Sequence, residues 1–233
     1  MKLLVFDVEG TLFKTSVRLP GTTIDSTIWQ GIANALGAEA IEAEVQTHKN
    51  WHAGKYKSYL DWMADTIKIH QRHGLSESLF YSLINAAEYN PGVPETLRAL
   101  RHNEYEAVLI SGGFRELAKR AQIDFGIRHA FAACEYLFDG RGQLSGFNLL
   151  PCDFQGKIDF IKLMLREYGL ADSDWIFVGD GVNDVPIAQS APLSVAYGGN
   201  AALGAVATSW IDDFRDLVTV LHDRASHAVP ERY

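Results

Sequence analysis

Four short apolar runs recur along the chain, and each stops at residues typical of loops. The runs cover residues 3–6, 107–110, 175–178 and 193–196, and a segment of helical periodicity follows each of the first three. Strands that alternate with helices in this way form a parallel sheet covered by helices. The pattern therefore predicts an α/β fold with a Rossmann-like, three-layer core.

Apolar positions at helical spacing predict the helices of this core and of an insertion. In the core they mark residues 93–101, 114–125, 157–168, 182–190 and 214–222, and residues 131–138 with 143–148 predict a β-hairpin. Residues 14–89 contain no strand-like run and predict amphipathic helices at 24–36, 40–52, 56–73 and 77–88. We therefore expect an α/β core of residues 1–13 and 90–225, a small all-helical cap domain of residues 14–89, and a flexible tail of residues 226–233.

Composition and charge narrow the possible partners. The chain has 21 Lys and Arg residues against 29 Asp and Glu residues, a net charge of −8 and no basic cluster, so nucleic acid is not expected as a partner. Its two cysteines, Cys134 and Cys152, lack a metal-site spacing and are expected to be free thiols. The apolar runs are too short for a signal sequence or a membrane span, which predicts a cytoplasmic protein without a membrane partner.

Charged and hydroxyl groups follow the apolar runs. In an open parallel sheet, ligands bind in the crevice outside the carboxyl ends of the strands, so these residues are expected to meet. The first run leads to Asp7 and Glu9, the second to Ser111-Gly112-Gly113, and the third to a loop at residues 179–184, while Lys157 opens the helix before the third run. Acids, a hydroxyl group and a lysine therefore converge on one small volume.

Several acids in one crevice repel one another unless a cation compensates them. Mg²⁺ suits oxygen ligands from one or two carboxylates and a substrate phosphate, and Asp7 and Asp180 are the candidate ligands. A phosphate beside the metal needs donors. Ser111, the amides of Gly112 and Gly113, and Lys157 offer them at the start of a helix. The residues thus predict a site for Mg²⁺ and a small phosphorylated metabolite.

A metal and a phosphate together give the first two acids a chemical role. Asp7 can attack phosphorus as a nucleophile. Glu9 can protonate the leaving alkoxide and later activate water. The metal, the lysine and the amides would stabilise the phosphoryl oxygens in a loose transition state. This is the chemistry of a phosphatase that hydrolyses a small phosphomonoester through an aspartyl phosphate.

Four segments also carry a family resemblance, in the order in which the family has them. They are Asp7-Val8-Glu9-Gly10-Thr11-Leu12, Ser111-Gly112-Gly113-Phe114, Lys157, and Gly179-Asp180-Gly181-Val182-Asn183-Asp184. The chain resembles the haloacid dehalogenase superfamily, and in particular its phosphoserine phosphatase-like branch. That branch carries a helical cap between the first motif and the second strand, where residues 14–89 lie.

The resemblance implies a role for each motif residue. Asp7 would be the nucleophile, and Glu9 would be the general acid and base. Mg²⁺ would be held by Asp7, by the backbone carbonyl of Glu9, by Asp180 and, through water, by Asp184. The remaining motif residues would orient the first loop or hold the phosphoryl group, and they are Thr11, Ser111, Gly112, Gly113, Lys157 and Asn183.

Two departures from the family pattern leave the acceptor and the substrate open. Most members have Asp where Glu9 stands, and the branches with Glu include enolase-phosphatases and a phosphoserine:homoserine phosphotransferase. Transfer of the phosphoryl group to an alcohol such as homoserine is therefore an alternative. Where phosphoserine phosphatases bind the ammonium and carboxylate groups of their substrate, this chain has Ser16 and Met63, which form no ion pair. The residues that could substitute are Asp25, Arg18 and Lys55.

Other interpretations of the same sequence stay open. A phospho-accepting signalling domain also gathers acids, a hydroxyl group and a lysine at strand ends, and a catalytically silent relative would bind without turnover.

Histidines pair at helical spacing in the cap (48 with 52, and 70 with 73) and could bind zinc or simply pack. Either a monomer or a homodimer is expected. The cap aromatics that could line a substrate pocket, or pack between helices, are Trp29, Trp51, Tyr56, Tyr59 and Trp62.

Overall fold

The computed structural model describes residues 1–18, 25–100 and 104–226, with side chains described up to residue 222. One sheet of seven strands forms the core, in the order β6-β5-β4-β1-β7-β8-β9. Its strands are β1 (Lys2–Phe6), β4 (Tyr105–Phe114), β5 (His129–Phe138), β6 (Leu144–Leu149), β7 (Trp175–Gly179), β8 (Leu193–Tyr197) and β9 (Ser209–Ile211). All neighbours pair in parallel except β5 and β6, which form the predicted hairpin.

Strand β1 lies at the centre of the sheet, between β4 and β7. Its residues Leu3 to Phe6 have no exposed surface, because helices cover both faces of the sheet. The helices of the core are α5 (Val93–Ala99), α6 (Arg115–Phe125), α7 (Gln155–Glu167), α8 (Val185–Ser190), α9 (Ala201–Gly204) and α10 (Leu217–Ser226). The predicted α/β core of Rossmann-like type is therefore confirmed.

Four helices follow β1 and form the cap. They are α1 (Ile28–Leu36), α2 (Ala38–His52), α3 (Tyr59–Arg72) and α4 (Glu77–Ala86). Helix α3 starts three residues later than predicted, because the Ser58 side chain accepts a hydrogen bond from the backbone N–H of Asp61 and caps the helix there. Thr27 and Gln30 form a capping box that fixes the start of α1. The predicted start of α1, at residue 24, lies outside the described residues.

The cap also contains a feature that an all-helical segment lacks. Strands β2 (Val17–Arg18) and β3 (Asp25–Ser26) pair in an antiparallel ladder, and the Arg18 guanidinium donates to both oxygens of Asp25 at 2.9 and 3.0 Å. Two residues a strand are too few to show a period of two in the sequence. The expectations for residues 226–233 fall almost wholly outside the described residues, since only Ser226, the end of α10, is included.

Strand β4 extends further than its apolar run predicts. The run ends at Ile110, but the strand continues to Phe114 with a register shift against β5 between Ser111 and Phe114. The shift occurs where the Ser111 hydroxyl accepts a hydrogen bond from the backbone N–H of Gly113 at 3.0 Å. The predicted loop is therefore an irregular strand end, which turns directly into α6.

Aromatic packing joins the cap to the sheet. The Phe80 ring of α4 lies 5.2 Å from the Phe114 ring, 5.0 Å from Tyr136 and 5.8 Å from Phe138, measured between ring centroids. Cap and core residues belong to one continuous hydrophobic cluster.

The boundaries predicted at residues 13/14 and 89/90 remain a prediction. Where the chain crosses between the two parts, Lys14 N–H donates to the carbonyl of Glu88 at 2.9 Å. Across the described ranges, every helix is too short or too polar to cross a bilayer.

Replacing Phe80 by alanine should destabilise the protein by about 3–5 kcal/mol, since a fully buried ring leaves a cavity between cap and sheet. Tyr81, its neighbour on α4, is 39% exposed and serves as the control. Tyr81→Ala should change the free energy of unfolding by less than about 1 kcal/mol. Urea unfolding followed by circular dichroism measures both values, and equal losses would contradict the packing described here.

Candidate active site

Three carboxylates meet at the carboxyl edge of the sheet. Asp7 follows β1 and Asp180 follows β7, and these strands are neighbours in which Phe6 pairs with Val178. Asp184 lies in the short 3₁₀ helix after β7. One carboxylate oxygen from each acid lies within 4.8 Å of the others. The predicted convergence of strand ends therefore brings these acids together, as parallel topology requires.

Lys157 lies between two of these acids. Its Nζ donates to Asp7 Oδ1 at 2.6 Å and to Asp184 Oδ1 at 2.7 Å, and it lies 3.8 Å from Asp153 Oδ1. The side chain projects from the first turn of α7 and is fully buried, as is Asp184. Such a buried cation is stable only because several carboxylates surround it.

Asp184 also fixes the loop after β7. Its Oδ2 accepts hydrogen bonds from the backbone N–H groups of Asp180 and Gly181, both at 3.1 Å. A side chain at Gly179 would overlap the Asp184 carboxyl group, so glycine is required there. Asp184 thus holds Asp180 through the backbone and Lys157 through its other oxygen.

Thr11 and Gly10 hold the first loop against Asp180. The Thr11 hydroxyl donates to Asp180 Oδ1 at 2.8 Å. Gly10 has φ +94°, and a Cβ at this position would overlap the Asp180 carboxyl group. Asn90, at the return from the cap, donates from its side-chain amide to the carbonyls of Gly10 and Thr11 at 2.8 and 2.9 Å. The loop that follows Asp7 is therefore fixed on both sides.

The Ser-Gly-Gly segment faces these acids from β4. Ser111 is buried, and its hydroxyl oxygen accepts from Gly113 N–H, which leaves the hydroxyl proton available to a ligand. The Tyr59 hydroxyl of α3 donates to the carbonyl of Gly112 at 2.9 Å, so the cap contacts the segment directly. Burial raises the pKa of Tyr59 well above its ordinary value, so the phenol keeps the proton that makes this bond.

Asp153 is part of the site, although sequence reasoning did not select it. Its Oδ1 accepts a hydrogen bond from Asn183 Nδ2 at 3.0 Å, and its carboxyl group occupies the space that a side chain at Gly112 would need. Next to it, Phe154 adopts φ +47°, a strained value for an aromatic residue. The only sequence signal for Asp153 was its position four residues before Lys157.

Glu9 lies between the Ser-Gly-Gly segment and the cap. A Cβ at Gly113 would be 3.0 Å from Glu9 Oε2, and the start of α1 at Ile28 lies close to the same carboxyl group. Burial raises the pKa of Glu9 to about 7, an effect that the backbone N–H of Ile28 offsets in part. Glu9 is therefore separated from the three aspartates but close to both the phosphate-binding segment and the cap.

The electrostatics of the cluster favour a bound cation. Burial raises the pKa of Asp7 well above its ordinary value although Lys157 opposes this, and burial raises the pKa of Asp180 to about 6. Burial alone would lower the pKa of Lys157, but attraction to Asp184, Asp7 and Asp153 outweighs it and raises the pKa. One lysine thus leaves an excess of buried negative charge. Oxygen donors with such an excess fit Mg²⁺.

The zinc interpretation of the cap histidines gains no support. Within the described residues, the three aspartates are the only group of at least three His, Cys, Asp or Glu side chains placed to share an ion. His70 is buried, and its Nδ1 shares a 2.7 Å hydrogen bond with the Tyr136 hydroxyl, as expected of a core histidine. Cys134 and Cys152 are both buried free thiols, as predicted.

Comparison with known proteins shows the family to which the chain belongs. A model of the haloacid dehalogenase-like hydrolases matches residues 1–192. The phosphoserine phosphatase of Lactococcus lactis is 31% identical over 151 residues, which cover 64% of this chain and 68% of that protein. The phosphoserine phosphatase of Streptococcus thermophilus is 28% identical over 197 residues, 84% of this chain and 83% of that protein.

Solved structures share the fold at lower sequence identity. A phospho-aspartyl intermediate analogue of a phosphoserine phosphatase superposes with a TM-score of 0.73 at 21% identity and covers 94% of this chain and 98% of its own. A substrate-bound phosphoserine phosphatase complex gives a TM-score of 0.72 at 21% identity, with 95% and 97% covered. These similarities show the arrangement of the sheet and cap.

The raised pKa values of Glu9 and Asp180, about 7 and about 6, predict how stability depends on pH. Because both exceed the unfolded-state values, the folded protein binds more protons, and the free energy of unfolding of the metal-free protein should fall by about 1 kcal/mol or more between about pH 5 and pH 8. Urea unfolding across this range measures the fall. Mg²⁺ should reduce it, because the cation binds the ionised carboxylates.

The matched variants for this measurement are Asp180→Asn and Asp159→Asn. The first removes a buried titrating group and should flatten the profile below about pH 7. The second removes an exposed carboxylate on α7 and should keep the profile of the unmodified protein. Stability that rises with pH in the metal-free protein would contradict the electrostatics described above.

Proposed function

The chain belongs to the haloacid dehalogenase-like hydrolases and is a phosphomonoester hydrolase, and we propose that it releases phosphate from a small phosphorylated metabolite through an aspartyl phosphate on Asp7. The observation that carries this proposal is the buried contact of Lys157 with Asp7 and Asp184, beside Asp180. A merely structural ion pair would need one carboxylate rather than three. The arrangement favours an enzyme over the signalling and binding alternatives.

Mg²⁺ is the cofactor that we assign to this site. Asp7, the backbone carbonyl of Glu9 and Asp180 would hold the ion, and Asp184 would support it through water. When bound, Mg²⁺ supplies a Lewis acid that withdraws charge from the phosphoryl oxygens. The raised pKa values of Asp7 and Asp180 support the assignment, since they mark carboxylates that lack enough positive charge in the protein alone.

Asp7 is the proposed nucleophile. Lys157 binds its Oδ1, which leaves Oδ2 to form the bond to phosphorus as the bond to the leaving oxygen breaks. Attraction to Lys157 opposes the rise in the pKa of Asp7 that burial causes, and so acts in favour of the ionised form, which is the form that attacks. In the second step, water attacks phosphorus and the Asp7 carboxylate leaves. The position directly after the rigid central strand β1 orients this carboxylate for both steps.

The phosphoryl group is held from the opposite side. The Ser111 hydroxyl proton is available because its oxygen already accepts from Gly113 N–H. Gly112, Gly113 and Asn183 would add polar contacts once a phosphoryl group is bound. Lys157 contributes positive charge to the same group. Donors that are fixed before the substrate arrives stabilise charge without reorganising during the reaction, which is how such sites lower barriers.

Glu9 is the proposed general acid and base. A pKa of about 7 leaves the carboxyl group partly protonated at neutral pH, so that it can protonate the leaving oxygen and later remove a proton from water. Its contacts with the start of α1 and with Gly113 place it between the phosphate site and the cap. Thr11, which donates to Asp180, orients the loop that carries Glu9.

Transfer of the phosphoryl group to an alcohol is a second candidate. The cap contacts the site through Tyr59 and through the N–H of Ile28, and a closed site limits the entry of water. Phosphoserine is the first substrate to test, because the relatives named above are phosphoserine phosphatases. Incubation with phosphoserine and homoserine separates the two reactions, since hydrolysis releases free phosphate and transfer yields a phosphorylated acceptor.

Asp7→Asn should lower the turnover of p-nitrophenyl phosphate by at least about 10³-fold in saturating Mg²⁺, because an amide does not attack phosphorus. Asp159→Asn, on the exposed face of α7, is the control and should keep the activity of the unmodified protein. Release of nitrophenolate measures both rates. An active Asp7→Asn variant would refute the assignment of the nucleophile.

Glu9→Gln tests the general acid through the leaving group. The variant should lose about 10²-fold or more in kcat on an alkyl phosphate, whose alkoxide needs a proton. The loss on p-nitrophenyl phosphate should be much smaller, because nitrophenolate leaves without protonation. Steady-state kinetics on both substrates give the comparison. Equal losses would show that Glu9 serves structure rather than proton transfer.

A further inference from the structure

A cavity lies between the helices of the cap. It has a volume of about 250 Å³, and its lining includes Thr27, Trp29, Glu44, His48, Tyr59 and Trp62. We call it the cap cavity. An adjoining groove of about 300 Å³ shares Gln30, Glu44, His48 and Trp62 with it. The cap cavity therefore adjoins this groove along four shared residues.

The cap cavity and the proposed phosphate site share a wall at Tyr59. Tyr59 lines the cavity and donates its hydroxyl hydrogen to Gly112 of the Ser-Gly-Gly segment. Thr27 lines it as well and precedes Ile28, whose backbone N–H favours the ionised form of the Glu9 carboxylate. Because Glu9 is the proposed acid for the leaving oxygen, the leaving group would extend towards this part of the cap.

Aromatic rings form the fixed part of the cavity wall. Trp29 stacks on Phe114 with ring centroids 4.4 Å apart, and Trp62 stacks on Trp51 at 5.1 Å. The Trp62 indole N–H already donates to the Thr47 hydroxyl at 3.3 Å. These contacts hold the rings in place before any ligand arrives. Preformed aromatic walls attract cations through the negative faces of their rings.

One carboxylate oxygen in this wall makes no hydrogen bond. Within the described part of the chain, Glu44 Oε2 is shielded from solvent and makes no hydrogen bond. His70 Nε2 lies 3.7 Å from this oxygen and likewise makes no hydrogen bond, while His70 Nδ1 is engaged with Tyr136. The Glu44 carboxylate therefore has an oxygen that a cationic ligand could bind.

The lining of the cap cavity gives no group that would bind a second anion. Of the described residues that line it, none is Lys or Arg, and the one basic side chain is His48, while Lys49 lines only the adjoining groove. A carboxylate on the leaving group would lie near Glu44 with no Lys or Arg in the cavity lining to compensate its charge. Repulsion of this kind discriminates between ligands as effectively as attraction does.

We propose that the cap cavity selects phosphomonoesters of cationic amino alcohols that carry no carboxylate, with the ammonium group held by Glu44 between Trp29 and Trp62. This inference rests on the proposed function, because it places the leaving group of the same reaction. Phosphoethanolamine and phosphocholine have the required chemistry. Phosphoserine shares the ammonium group, but its carboxylate would add a charge of the wrong sign.

The experiment compares five substrates in saturating Mg²⁺: phosphoethanolamine, phosphocholine, phosphoserine, glycerol 3-phosphate and p-nitrophenyl phosphate. In the unmodified protein, kcat/KM for at least one of the two cationic esters should exceed that for phosphoserine and for glycerol 3-phosphate by roughly tenfold, as one charge contact predicts. Glu44→Gln should remove this advantage through KM. Glu42→Gln, an exposed acid on the same helix, should preserve it.

Binding gives a readout that does not depend on turnover. Phosphocholine, titrated calorimetrically into Asp7→Asn protein, should bind roughly tenfold more weakly when Glu44→Gln is added. Thermal unfolding of every variant is the check that each one is folded. A preference for phosphoserine in the unmodified protein, or an equal loss on charged and uncharged esters in Glu44→Gln, would overturn the inference.

The two proposals fail in different ways. If the unmodified protein does not hydrolyse p-nitrophenyl phosphate, the proposed function is wrong and the inference fails with it. If it hydrolyses p-nitrophenyl phosphate through Asp7 without a preference that depends on Glu44, only the inference is wrong.

Discussion

A lysine buried among carboxylates is the constraint on which the rest of this structure depends. Lys157 has no exposed surface, and its ammonium group is stable only because Asp7 and Asp184 accept its hydrogen bonds. Asp7 follows β1, Lys157 lies in the first turn of α7, and Asp184 lies in the loop after β7. Their contact therefore fixes these three segments relative to one another. The same contact leaves excess negative charge, which a divalent cation can neutralise.

The backbone around this cluster adapts to the carboxyl groups. At Gly10 and Gly112, a Cβ would occupy the space taken by Asp180 and Asp153. At Gly179, it would overlap Asp184. Because glycine has no side chain, its backbone can lie directly against a carboxyl group. The carboxyl groups can therefore lie close together despite their mutual repulsion. The glycines of the motifs thus allow the carboxyl groups to pack closely, in addition to allowing the turns.

How much the sequence predicts depends on whether a property is local. Strand ends in a parallel sheet converge by topology, so Asp7, Asp180 and Ser111 could be placed together from apolar runs alone. Asp153 could not, because its role arises from contact with Gly112 and Asn183, which are distant in sequence. The ladder of β2 and β3 is too short to leave a periodic pattern, and the strand end at residues 111–114 depends on a side-chain hydrogen bond.

The substrate-binding residues of the cap are also hard to predict from the sequence. Its aromatic residues have helical spacing, and that spacing fits packing and a pocket equally well, so sequence alone left both open. The structure assigns both roles to Trp29 and Trp62, since they stack on neighbours and also line the cap cavity. Tyr59 joins the two regions, because it lines the cavity and binds the Ser-Gly-Gly segment. Phosphoryl chemistry therefore belongs to motifs at strand ends, whereas selection of the leaving group depends on how four helices pack, which no motif records.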